Sequence, residues 1–493
     1  MAKTVSITAT DGTPIQFIDE IFSQGGVKDA YWSPDKKYVV LFFRDKAANN
    51  PANKDRLETI CSTYVRQIFE AAGGDYWRNL FAWPEHVVIW EGKIGITVPT
   101  YQSKFFFEGG KFKGKEKEGK WFASAKLRNR FVEAEFKGDW LRHFHMLIQI
   151  ARAVKRLHAA GLAHSDLSYK NVLVDPKTGS ACIIDCDGLV VPGKYPPEVL
   201  GTPDFIAPEV YATKALPLTD PARKLPCIAT DRHALAVMVY MYLLYRHPLR
   251  GGKVNDLDAA RDEELSMGTK ALFVEHPTDK SNRPKIANLA PSELPQGDVT
   301  KLPYTICGPY LKELFDRAFI DGLHNPALRP TADEWLTALV KTTDLMQPCQ
   351  NPSCEAKWFV FDNTTKPRCP FCGTEYHGQL PVLNLYYSPK QGVFKPENYR
   401  LMVYNRQSLY MWHVNRFIFP NEKLTAEEKR PVGDFHFHNG KWILINRRLP
   451  YMWDKDTDTK IEIGQAVELT EGKKILLGKN DGDRLIIVQL VNN

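Results

Sequence analysis

A chain of 493 residues that is 43% hydrophobic and 25% charged has the balance of an ordinary globular protein and room for about three domains. Its net charge of +7, from 65 basic against 58 acidic residues, is too small for this size to point to a nucleic-acid ligand. The longest apolar run, Ala234 to Tyr245, is too short to cross a bilayer, and MAKTVSITATDGTP lacks the basic and apolar segments of a secretory signal. A cytoplasmic protein with no membrane partner, and without nucleic acid as a direct ligand, is expected.

Between residues 14 and 45, short apolar runs alternate with turn signals (PIQFIDEIF, SQGG, VKDAYW, SPDKK, YVVLFFRD), which predicts a strand meander. From Asp55 to Ala72 the residues Leu57, Ile60, Tyr64, Ile68 and Phe69 recur at helical spacing, with Gly73 and Gly74 as a stop. VVIWEGKIGITVP predicts two strands paired around a Glu-Gly turn. The stretch KFKGKEKEGKWFASAKLRNR, Lys111 to Arg130, reads as a solvated basic insert, with a docking surface as the alternative. WLRHFHMLIQIARAVKRLHAAG predicts a long amphipathic helix ending at Gly161, and NVLVD, PKTG and ACIIDCDG a small hairpin. From Thr230 to about Lys341 the pattern is mainly helical, and after about Gly378 strands and turns alternate to the end.

Five of the nine cysteines (Cys61, Cys182, Cys186, Cys227, Cys307) are scattered and read as small apolar residues. The other four, Cys349, Cys354, Cys369 and Cys372, form C-x4-C, fourteen intervening residues, then C-x2-C. Thiolates so paired can close a tetrahedral zinc site, and the Gly of CPFCG permits the tight turn of a knuckle. Four protein ligands leave no open position, so the zinc is expected to be structural, with His377 a spare ligand.

The run HSDLSYKNVLVD concentrates a His, an acid, a base and a carboxamide after the long helix, and by residue type alone it could be a polar turn. Four other motifs surround it in order: SQGGVKDAY upstream, then IIDCDG, GTPDFIAPE and NPALRPTADEW. Together they resemble the protein kinase superfamily over roughly residues 1–345. The resemblance implies an α+β, bilobal protein kinase-like fold, with an N-lobe of about 1–101 and a C-lobe of about 102–345. It implies ATP and Mg2+, with Asp166 as the base that takes the acceptor hydroxyl proton, Lys170 neutralising charge on the migrating phosphoryl group, and Asn171 and Asp185 holding magnesium. His164 is read as a loop brace. Glu209 and Arg329 match a buried structural ion pair, and Asp231 a residue anchoring the catalytic loop.

The N-terminal part departs from the family pattern. Gly25 and Gly26 suit a phosphate-facing turn, but YVVLFFRD places Leu41 or Phe42 where kinases carry the V-A-I-K lysine. Arg44, with Glu58 on the following helix as partner, is the expected substitute. In DCDG, Asp187 stands at the usual glycine position and either braces the loop or assists the metal. Ser165 replaces the Arg that in many kinases receives an activation-loop phosphate, and Leu189 to Leu200 contains no Ser or Thr, so activity is expected not to need Ser/Thr phosphorylation there. A missing lysine also allows a pseudokinase adaptor, which binds partners through its zinc ribbon and β module, and Lys170 lies where tyrosine kinases place a basic residue.

Residues 346–378 are then a zinc ribbon, and 379–493 resemble a forkhead-associated β-sandwich, a fold that reads phosphothreonine. Its binding motifs match poorly; Arg406, Ser408 and Asn446 are the candidates, and a structural or non-phosphate docking role is favoured. The combination resembles the bacterial kinase of the tellurite-resistance TerY triad. That resemblance implies a serine/threonine kinase in a stress response, with a von Willebrand A-domain protein and a metal-dependent protein phosphatase as partners.

Overall fold

The computed structural model describes residues 3–70, 73–191, 193–197, 200–361 and 366–491. Two compact units divide the chain. One comprises 1–138, 142–304 and 313–337; the other 139–141, 305–312 and 338–493.

In the first unit the meander forms β1 (Thr4–Thr8), β2 (Pro14–Ile18), β3 (Ile21–Gln24), β4 (Lys28–Trp32) and β5 (Tyr38–Phe43). The Glu-Gly turn joins β6 (His86–Trp90) to β7 (Lys93–Pro99), and the sheet order is β3-β4-β5-β7-β6, antiparallel throughout. Period-two alternation sorts β5 between two cores. Val40 and Phe42 pack with Phe17 and Tyr31 beneath the β1–β2 hairpin, while Phe43 packs with Ile96 and with Leu57 of helix α1 (Pro51–Thr59). Helix α1 starts at an Asn50 cap that accepts from Ala52 N at 3.0 Å and continues through a π turn to Phe69. Its expected end at Ala72 lies outside the described residues.

Helix α2 (Trp140–Ala159) and the hairpin β8 (Val172–Asp175) with β9 (Ser180–Ile183) follow as expected. Helix α3 (Ile228–Leu244) is apolar on every side and is buried from Ala234 to Leu244, the arrangement such a helix needs in water. Helices α4 (Ala259–Met267), α5 (Pro309–Asp316) and α6 (Ala332–Thr343) complete this region. Between α4 and α5 the expected helical character fails: the chain runs through short 3-10 turns, because Pro284, Pro291, Pro295 and Pro303 each remove a backbone N–H donor. No described helix is long and apolar enough to cross a membrane.

The basic insert is not a solvated loop. Phe112 and Phe122 are buried within it, packed on Phe107 just before it, and Ala125–Phe131 is helical. Lys111 lies 5.2 Å from the Phe131 ring and Lys120 5.3 Å from that of Trp121, so the lysines cover aromatic faces. Lys117 is itself buried and donates at 2.8 Å to both Asp175 Oδ1 and the Lys104 carbonyl.

In the second unit, β10 (Met346–Pro348) pairs with β11 (Trp358–Val360) beside the cysteine cluster. A two-sheet sandwich follows. The larger sheet is built on β12 (Leu380–Lys390) and β13 (Val393–Met402), and the smaller begins with β14 (Ser408–Leu409), β15 (Gly433–His438) and β16 (Lys441–Asn446). Short strands β17 (Trp453–Asp454), β18 (Thr459–Lys460), β19 (Ala466–Glu468) and β20 (Lys474–Leu476) precede the long β21 (Arg484–Val491). The sheets run β13-β12-β21-β20-β17-β18 and β14-β15-β16-β19, and Leu383, Leu401, Phe435, Leu444, Ile475 and Ile486 share their core.

Candidate active site and metal centre

The loop after α2 is held from below by a buried carboxylate. Asp231 of α3 accepts from His164 N at 2.7 Å and Ser165 N at 3.2 Å, with His158 Nε2 3.2 Å away. His164 bridges onward through Nε2 to the Ile184 carbonyl at 3.0 Å, tying the loop to the strand that leads into DCDG. Asn171 Nδ2 donates to the Asp166 carbonyl at 2.8 Å and to its Oδ2 at 3.0 Å, while Thr202 N donates to Oδ1 at 2.6 Å. These contacts fix the Asp166 carboxylate, and they use the Asn171 NH2 so that its amide oxygen is the atom available to a cation. Lys170, by contrast, is exposed.

A cavity of about 310 Å³ joins Gly25, Gly26 and Leu41 of the sheet region to Tyr101, Asn171 and Asp185. Asp185 has φ 62°, a left-handed conformation uncommon for a residue with a side chain, and its side chain is 49% exposed against 10% for Asp187. Between these two acids sits Lys28 of β4, a residue sequence reasoning missed: its Nζ donates at 2.8 Å to Asp185 Oδ1 and to each oxygen of Asp187. Burial opposes the Lys28 charge, but the two aspartates outweigh it and hold the ammonium above its ordinary range. Burial likewise opposes ionisation of Asp185, yet Lys28 keeps that carboxyl below its usual range; burial, with the Asp185 charge adding, raises Asp187. The one local signal for Lys28 was its place two residues after Gly26 in SQGGVKDAY.

The expected Arg44–Glu58 pair does not form. Arg44 donates to the carbonyls of Gly25 and Gly26 and lies 3.5 Å from Asp29, so it braces the glycine turn from behind. Glu58 pairs along its own helix with Lys54 at 3.6 Å, as an i,i+4 geometry favours. The Glu209–Arg329 pair is present and bidentate, at 2.8 and 2.7 Å, and Arg329 also donates to the Gly322 and Leu323 carbonyls.

Oxygen donors from Asn171 and Asp185 suit Mg2+, a hard cation that keeps ligands from substrate phosphates. The second metal-capable group is the cysteine cluster. Cys349 and Cys372 Sγ are 3.5 Å apart, Cys354 and Cys369 3.8 Å, and all four sulfurs lie within 4.8 Å of one another. Zn–S bonds of about 2.3 Å in a tetrahedron place sulfurs about 3.8 Å apart, so the cage fits zinc. Gly373, at φ 76°, closes the knuckle, while the His377 backbone bonds Gln350 and its ring is not part of the cluster.

In the sandwich the three phosphate-reading candidates diverge. Asn446 is fully buried and spends both ends of its amide on Leu449 and the Ile461 carbonyl. Ser408 donates to the Asp434 carboxylate at 3.1 Å, and Arg406 is exposed. A buried brace and a serine facing an acid do not make a phosphate pocket.

Residues 124–338 match the family model described as protein kinase domain. A stretch of 128 residues, 25% of this chain, is 32% identical to the death-associated protein kinase dapk-1 of Caenorhabditis elegans, and the chain spans 8% of that protein's length. Similarity to the crystal structure of the Toxoplasma gondii specific rhoptry antigen kinase domain reaches a TM-score of 0.36 at 15% identity, covering 56% of this chain and 84% of that one. Residues 124–338 are thus similar to a protein kinase domain, a kind of domain that implies ATP and Mg2+.

Proposed function

We propose that this protein is an ATP-dependent serine/threonine protein kinase. The observation that carries the reading is that Asn171 and Asp185 line one cleft beside a glycine turn, with the Asp166 carboxylate hydrogen-bonded to Asn171 at its edge. Asp166, with one carboxylate oxygen bonded to Thr202 N and the other to Asn171, is oriented to accept the proton of an incoming hydroxyl as its oxygen attacks the γ-phosphoryl group. Asn171 and Asp185 hold magnesium, which neutralises charge on the phosphate oxygens when bound. Asp231 positions the loop that presents the base. Lys170 is exposed, so its phosphoryl-facing role requires a bound nucleotide to draw it inward.

The four thiolates hold one structural zinc. The combination of kinase motifs, four-cysteine ribbon and forkhead-associated-like sandwich supports a place in a stress-response system of the tellurite-resistance type, with a von Willebrand A-domain protein and a metal-dependent phosphatase as partners. Purified wild type and Asp166→Asn, incubated with labelled ATP, magnesium and a generic protein substrate, test the chemistry. Loss of the base is expected to reduce transfer by about 10²–10⁴-fold, with label on serine or threonine by phosphoamino-acid analysis. Equal absence of transfer from both folded proteins would favour a pseudokinase adaptor, and label on tyrosine would overturn the acceptor class.

A further inference from the structure

The cleft carries two departures from the kinase pattern, Leu41 where a lysine is expected and Asp187 where a glycine is expected, and Lys28 links them. In the β4–β5 register Lys28 pairs with Phe43 and Ala30 with Leu41. Paired residues of adjacent strands present their side chains to one face, so Lys28 and Leu41 share a face, and both line the cavity with Asn171 and Asp185. The lysine enters that cavity from the neighbouring strand. The other candidate cation, Arg44, is directed at the carbonyls of the glycine turn, and the helix carboxylate Glu58 is paired with Lys54.

We propose that Lys28 is the anchor for the nucleotide phosphates and that Asp187 is its resident counter-ion, so that the two departures compensate each other. This inference rests on the ATP-dependent reading of the cleft. An ammonium on a buried strand needs a paired charge, and Asp187, 10% exposed, supplies one that stays enclosed with it. Asp185, half exposed, is the partner free to turn to a cation, and when it does, part of the three-donor capacity of Lys28 is released toward a phosphate oxygen. Asp187 then remains bonded to the lysine through either oxygen. A salt bridge between strand and metal loop thereby replaces a strand-to-helix one, which leaves Glu58 free for its own helix.

The test measures binding of a fluorescent ATP analogue with magnesium to the full chain, with the thermal midpoint recorded for each variant. Lys28→Ala is expected to weaken nucleotide binding by about tenfold or more. Adding Leu41→Lys to Lys28→Ala is expected to recover at least about threefold of that loss, because the second lysine issues from the same face of the sheet. Asp187→Ala is expected to weaken binding in the wild type and to add nothing in the Lys28→Ala background. Unchanged or tighter binding by a folded Lys28→Ala, or no recovery by a folded Lys28→Ala/Leu41→Lys variant, would overturn the proposal and leave Lys28 a structural brace. A wild type that binds the analogue but transfers no phosphate defeats the kinase reading alone, since the Lys28 result is read from affinity.

Discussion

His247 is buried with both ring nitrogens committed: Nε2 lies 2.9 Å from the Asp204 carbonyl, and Nδ1 accepts from Leu249 N at 3.1 Å. That pattern requires the neutral, Nε2-protonated ring, since a second proton would face the Leu249 N–H. Burial accordingly depresses its pKa from 6.5 to about 4, against the opposing pull of Asp204. With the folded value below the unfolded one, the unfolded chain binds the extra proton first, so stability is intact above pH 6.5 and falls as pH drops toward 4. The decline attributable to this group is expected to reach roughly 3 kcal/mol. Denaturant titrations of wild type and His247→Gln across that window check it: the variant should lose part of the slope, and parallel curves would refute the assignment.

At the scale of elements, the segment after DCDG is joined to helix α1. The buried Tyr195 donates its hydroxyl to the Asp55 carboxylate and lies 3.0 Å from Thr59 Oγ1, while Lys194 sits 3.9 Å from Asp55. Pro192, Glu198 and Val199 of this segment lie outside the described residues. Between Leu189 and Leu200 the sequence has no Ser or Thr, and a phosphate on Tyr195 would face the Asp55 charge. Protein competent in phosphoryl transfer is therefore expected to carry no phosphate in this segment, and Tyr195→Phe to retain transfer. Peptide mass spectrometry of the active protein checks the first point, and stoichiometric phosphotyrosine at 195 would sink it. The basic insert shows how an element escapes a composition-based reading: its lysines and glycines looked solvated, yet its phenylalanines form a buried cluster that the lysine side chains cover.

For the molecule as a whole, the described residues of the ribbon at 346–378 offer only the short β10–β11 pair as regular structure, too little to order it without the thiolate cage. Metal analysis is expected to return about one zinc per chain, with Cys369→Ser reducing zinc content and lowering the thermal midpoint. Full zinc retention in that variant would remove Cys369 from the ligand set. What the sequence determined by itself lies in contiguous or regularly spaced residues: strand and helix periodicity, the HSDLSYKN loop, the C-x4-C and C-x2-C pairs. These are legible because the chain holds their members at short, fixed separations, and period and spacing then decide which face or turn they share. Only the tertiary structure decided that Lys28 meets Asp185, 157 positions away, that Arg44 turns back to Gly25 and Gly26, and that Asn446 points into the sandwich core. Each of those choices depends on which strand lies beside which and on which charges burial forces together, a competition among distant partners that no local pattern encodes.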